Sequence, residues 1–319
     1  MRRIDLPTTD DAILLVPLDG SRLAEGALPA VTVLARRLPA RLTLLHTIER
    51  NAPESVHGER HLRDVAEAES YLAEVAGRLA AEGVAADWHV HVVPVGDIAR
   101  SIAAHANEQH AALIVLTTHE AADPRSWLMG AVAQDVIHFA TSPVLVIRPG
   151  RKGEERSFAP AAIIVAMDGE QQGVAALPAA ITLAQALQVP LRLLAVVPTV
   201  ETITGDQAAA ARLMPSGARV AFDVSAEEML SQVQQVQKRI RQIAPDLDVT
   251  AEVARGDPAQ VIAARTREQR AILALATHGR AGLDALWEGS TGGITITRSQ
   301  GPFLLVHPEP SDSTLAGEP

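Results

Sequence analysis

The chain has 319 residues, about twice a common domain length of ~150, with 47% apolar and 21% charged side chains, so two packed cores are expected and global disorder is excluded. Its 38 acidic and 28 basic side chains give a formal charge of -10, which opposes attraction to nucleic acid or anionic lipid. Cysteine is absent, which removes disulfides, thiolate catalysis and Cys-based zinc sites.

In chain order, Met1-Arg2-Arg3-Ile4-Asp5 opens no apolar run of signal-peptide length, and no later run approaches the ~20 apolar residues of a membrane span. A cytoplasmic protein with no membrane partner is expected. Residues 13–18, 42–48, 90–95, 113–116 and 144–147 are near-continuous apolar runs of the length of strands buried on both faces. Between them, residues 24–37, 63–81 and 98–109 carry apolar side chains at three- and four-residue spacing, the pattern of helices. Pro149-Gly150-Arg151-Lys152-Gly153-Glu154-Glu155-Arg156 then reads as a linker.

After the linker the chain repeats itself. Ile13-Leu14-Leu15-Val16-Pro17-Leu18-Asp19-Gly20 returns as Ile163-Ile164-Val165-Ala166-Met167-Asp168-Gly169, with Asp19 falling on Asp168 at an offset of 149. The same offset carries Ala27-Leu28-Pro29-Ala30 onto Ala176-Leu177-Pro178-Ala179 and Leu44-Leu45 onto Leu193-Leu194. Further on, Thr118-His119 maps to Thr277-His278 and Gly130 to Gly289 at an offset of 159, so ten residues are added in between, and residues 200–225 are the expected place. Strands alternating with helices imply right-handed crossovers and a mostly parallel sheet. The expectation is an α/β protein of two tandem doubly wound, Rossmann-like domains of five strands each, at 1–149 and 158–308, followed by a disordered tail at 309–319.

In such sheets ligands sit beyond the carboxyl ends of the strands, where the winding reverses. After the fourth strand of the second copy come Ala276-Thr277-His278-Gly279, nine residues from Arg280 to Glu288, then Gly289-Ser290-Thr291. Glycines permit close backbone approach, and a serine with free amides at a helix N-terminus favours a phosphate. This run resembles the signature of the universal stress protein family: a glycine, two residues, a glycine, nine residues, and a Gly-Ser or Gly-Thr pair. Ala276 replaces the first glycine. Val16-Pro17-Leu18-Asp19-Gly20-Ser21 resembles the same family at the end of its first strand.

The resemblance implies that ATP, with or without magnesium, is held by Asp168, Val196, Thr277, His278, Gly279, Arg280, Gly289, Ser290 and Thr291. Asp168 equally suits an Asx-turn, and the two roles are compatible. Gly256-Asp257-Pro258 reads first as a helix start, with Asp257 as cap. In the first copy the loop reads Thr117-Thr118-His119-Glu120 and Gly130-Ala131. A carboxylate at Glu120 would repel phosphate, so this copy is expected to have lost ATP or to hold it poorly.

No P-loop is present, because the only lysines, Lys152 and Lys238, follow no glycine-rich loop. His57 with His61, and His89 with His91, are spaced for a metal but lack carboxylate partners. No nucleophile, base and orienting acid can be assembled, so no catalytic residue is named. Three readings follow: a nucleotide-binding stress module acting by ligand-dependent interaction with a protein partner, an ATP-independent scaffold of the same fold, and a slow ATPase for which only Arg280 could meet the phosphates. The last strands, 144–147 and 303–306, are expected at sheet edges. The resemblance implies that they pair across a twofold axis, either inside the tandem chain as a pseudo-dimer or between two chains as a homodimer.

Overall fold

The computed structural model describes residues 12–50, 55–56, 59–94, 97–118, 131–149, 156–167, 173–203, 213–277 and 291–307. The first half runs β1 (Ala12–Pro17), α1 (Arg22–Glu25), α2 (Leu28–Arg37), β2 (Ala40–Glu49), β3 (Ser55–Val56), β4 (Glu59–Arg60), α3 (Val65–Ala81), β5 (Ala86–Val93), α4 (Ile98–Glu108), β6 (Ala111–Thr117), α5 (Ala131–Phe139) and β7 (Val144–Ile147). The second runs β8 (Ala162–Met167), a 3-10 turn (Gly173–Ala176), α6 (Leu177–Leu187), β9 (Leu191–Val197), α7 (Pro215–Ile243), β10 (Val249–Arg255), α8 (Pro258–Glu268), β11 (Ala271–Ala276), α9 (Thr291–Ser299) and β12 (Phe303–Val306). Most of the linker and the tail expected at 309–319 lie outside the described residues.

Apart from the β3–β4 ribbon, the strands form one ten-stranded sheet in the order β10-β9-β8-β11-β12-β7-β6-β1-β2-β5. Each half steps outward from its first strand and then returns to the other side of it, which is double winding with the reversal beside β1 and β8. Alternate residues of each strand feed two cores, one on each face: Leu14 and Val16 enter one, Ile13 and Leu15 the other. Within this ten-stranded sheet all pairings inside a half are parallel. Its one antiparallel pairing joins the halves, Phe303 to Val146, Leu304 to Leu145 and Leu305 to Val144.

The two strands expected at edges therefore cover one another at the centre of the sheet. Leu145 and Leu304 face each other there, both with no exposed surface. Side chains cross the seam reciprocally: Arg148, just after β7, donates to the Ile296 carbonyl of α9, and His307, just after β12, donates to the Ile137 carbonyl of α5. Both donor and both acceptor pairs differ by 159, so the seam has an internal twofold. β5 and β10 are left as the outer strands.

Local differences from the sequence expectations have local causes. The helix expected over 24–37 is two helices broken at Gly26-Ala27, because Pro29 in the first turn of α2 has no amide to donate to the Glu25 carbonyl. β5 begins earlier than expected, since an outer strand reads as alternation and not as a continuous apolar run. The added residues of the second half are helical: α7 has 29 residues where α3 has 17. Asp64 caps α3 by accepting from Ala66 and Glu67 amides, and Asp257 caps α8 by accepting from the Gln260 amide at 2.7 Å, ahead of Pro258 at the first helical position. A register shift between Ile13 and Leu14 against β6 gives the first half one residue that β11 lacks.

Candidate functional site

At the carboxyl end of β1 the chain turns sharply. Asp19 accepts from the Ser21 amide at 2.9 Å and its hydroxyl at 2.6 Å, an Asx-turn that passes through Gly20 at φ +87. Leu62 lies directly on this turn, and a Cβ on Gly20 would stand 2.8 Å from Leu62 Cδ1. Beneath it, His46 of β2 donates from Nδ1 to the Leu18 carbonyl at 2.7 Å, and its ring lies 6.3 Å from that of His61. Both rings are buried. Burial, helped by the neighbouring His46, holds His61 below the ordinary imidazole value despite Asp19. Leu62, His46 and His61 thus pack together at the end of β1 in the first half.

The second half offers different chemistry at the same stations. Alignment of Leu44-Leu45 with Leu193-Leu194 puts Ala195 at the position of His46 and Val196 at that of Thr47. Ala195 is fully buried, and Val196 is half-buried beside Ala254 of β10. Ala276 ends β11 half-buried, paired to Val306. Thr277 follows it, buried, with its amide donating to the Val306 carbonyl. The Thr277 hydroxyl lies 2.9 Å from His307 Nδ1. Because His307 Nε2 donates across the seam, Nδ1 accepts from Thr277, and burial keeps the ring neutral by lowering its pKa. Thr277 therefore spends its hydroxyl on the seam, while α9 starts at Thr291. Asp168, His278, Gly279, Arg280, Gly289 and Ser290 lie outside the described residues, as do His119, Glu120 and Gly130 of the first half. Beside the ends of β9 and β10 is a recess of about 230 Å³ whose lining includes Thr199, Phe222, Arg219 and Arg255, with Arg255 paired to Asp223 at 2.5 Å.

Among the described residues no group of three or more His, Asp or Glu is placed to hold a metal. His57 lies outside them. No described helix is long and apolar enough to cross a membrane.

The universal stress protein family model matches the chain twice, over residues 12–148 and 161–307. The chain belongs to the universal stress protein family. It is 28% identical over 148 residues to the universal stress protein YxiE of Bacillus subtilis, across 42% of this chain and 97% of that protein. A solved universal stress protein of Archaeoglobus fulgidus is alike over 93% of this chain and 96% of its own at a TM-score of 0.62; at 19% identity this likeness is of fold. Another from Archaeoglobus fulgidus, solved in complex with dAMP, is 23% identical and covers 45% of this chain and 98% of its own at a TM-score of 0.32.

The cluster of Leu62, His46 and His61 is announced neither by the glycine loop nor by the Asp19-Gly20-Ser21 turn. The signal was present: carrying the offset of 149 one residue past Leu44-Leu45 sets His46 against Ala195, a large polar ring against a methyl at the same strand end.

Proposed function

We propose that this universal stress protein is a nucleotide-responsive module whose second half holds ATP while its first half does not, and that occupancy changes its contact with a protein partner without catalysing a reaction. The observation that carries this reading is the contrast between the two strand ends: Leu62 on Gly20 and the buried hydroxyl of Thr47 in the first half, the half-buried Val196 in the second, followed there by Gly279, nine residues, Gly289 and Ser290. In this reading Val196 packs on the base, Asp168 meets the nucleoside, and Gly279, Arg280, Gly289, Ser290 and the start of α9 at Thr291 receive the phosphates, with magnesium as an optional companion. His278 steadies the loop. Thr277 contributes backbone, since its hydroxyl is engaged by His307.

A second reading, an ATP-independent scaffold, is favoured by Ala276, whose methyl narrows the space that a glycine would leave. Calorimetric titration of ATP, with and without magnesium, into the protein and into Gly289→Trp separates the two. The expected result is one ATP per chain, lost in the variant; absence of heat at millimolar ATP in the unaltered protein would establish the scaffold.

A further inference from the structure

Three imidazoles meet where α4 packs on β5. His105 of α4 is buried, and its ring lies 5.3 Å from that of His89 and 4.7 Å from that of His91, the latter edge-on at 84°. His89 and His91 are two apart on a strand and so share a face. His91 Nδ1 lies 3.3 Å from the Ser101 hydroxyl of α4, and His105 Nε2 has no hydrogen-bond partner. Thr47 of β2, paired to His91 in register, is also buried with an unpartnered hydroxyl.

The second half builds the same junction from other residues. Leu45 pairs with His89 and Leu194 with Glu252, so the 149 offset between Leu45 and Leu194 places Glu252 at the station of His89 and Ala254 at that of His91. In the helices, Ala99, Ile102, Ala103 and Glu108 correspond to Ala259, Ile262, Ala263 and Glu268 at an offset of 160, which puts Arg265 at the station of His105. Arg265 pairs with Glu252 at 3.1 Å and with Glu268 at 3.3 Å. Ala254 leaves a recess of about 370 Å³ there, bordered by Glu252, Ala264 and Arg265.

We infer that the His89, His91 and His105 stack is an acid-released clamp that holds α4 on β5 in the first half alone, the second half having a permanent ion pair in its place.

Burial is the main influence lowering His91 and His105 below the ordinary 6.5, and the neighbouring imidazoles add to it: His89 for His91, and His91 then His89 for His105. Glu108 of α4 is the one group opposing this. Asp135 and His138 of α5, on the other flank of α4, and Glu49 of β2 shift neither ring. Both rings are thus neutral when clamped and take up protons more readily once released. The clamp's contribution is complete above pH 6.5 and is lost as pH falls through the lowered values. Arg265 keeps its charge over this interval, because its already high value is raised further, mainly by Glu252.

The test is hydrogen exchange of the full chain at pH 7.5 and 5.5 in the presence of a chelator, corrected for intrinsic rates. Protection in α4 and β5 should fall on acidification by up to about tenfold for each of the two imidazoles, the most that a pH one unit below the ordinary 6.5 allows, while α8 and β10 keep theirs. The triple variant His89→Glu, His91→Ala and His105→Arg, which imports the second-half residues at all three stations, should abolish the response. Should that variant fail to fold at pH 7.5, His91→Gln with His105→Gln, which removes both depressed imidazoles, replaces it with the same expected outcome. Equal loss of protection in α4 and α8, or an unchanged response in the folded variant, would overturn the clamp.

Discussion

Two copies of one fold lie side by side in this chain, and they differ most at the strand ends and at one helix–sheet junction. Where the first half has His46, His89, His91 and His105, the second has Ala195, Glu252, Ala254 and Arg265. Nine of the eleven histidines precede Pro149. The cores that bury Leu14, Val16, Ile163 and Val165 are alike, so divergence was confined to positions that do not decide whether the sheet forms. The seam shows the opposite behaviour: Arg148 and His307 differ in kind but make the same reciprocal contact, each with a carbonyl of the other half.

The comparison can be broken first at its shared part. Leu145→Ala and Leu304→Ala each remove a fully buried side chain from the seam and should each cost about 2–5 kcal/mol in denaturant unfolding, with similar values for the two. A small loss for one and a large loss for the other would mean that the seam belongs to one half only. Next, Val196→Thr imports the first-half residue, Thr47, into the second-half mouth. It should weaken ATP binding by at least about tenfold, equivalent to ~1.4 kcal/mol, and calorimetry of a variant whose melting confirms folding measures this.

Asp257→Ala removes the cap of α8 and should cost about 0.5–2 kcal/mol by thermal unfolding, with Asp64→Ala matching it at α3. The smallest effect is expected from Glu252→Gln. Its pair with Arg265 is close to half exposed, so the loss should be about 0.2–1 kcal/mol and should shrink in high salt.

Much of the fold was legible because both signals were redundant. Apolar runs placed β1, β2, β6, β7 and their counterparts, and the repeat confirmed each against the other. Alternation in β5 was harder to read, since Trp88 and Val92 are exposed on one face and imidazoles occupy the other. The break at Gly26-Ala27 is announced locally by Pro29, whereas the packing of Gly26 on Pro149, over a hundred residues away in sequence, has no local signal. The same limit applies to the candidate site. Its glycine loop could be read from spacing, whereas the packing of Leu62 on Gly20 is a tertiary contact. The commitment of Thr277 to His307 likewise needs β11 and β12 to be adjacent.

The central claim, one nucleotide held by the second half, is tested most directly by photolabelling the full chain with azido-ATP and mapping the modified peptides. Labelling of peptides spanning residues 191–203 and 277–291, competed by ATP and absent from residues 40–49 and 117–131, is the predicted result. Competable labelling of the first-half peptides at comparable yield would contradict it.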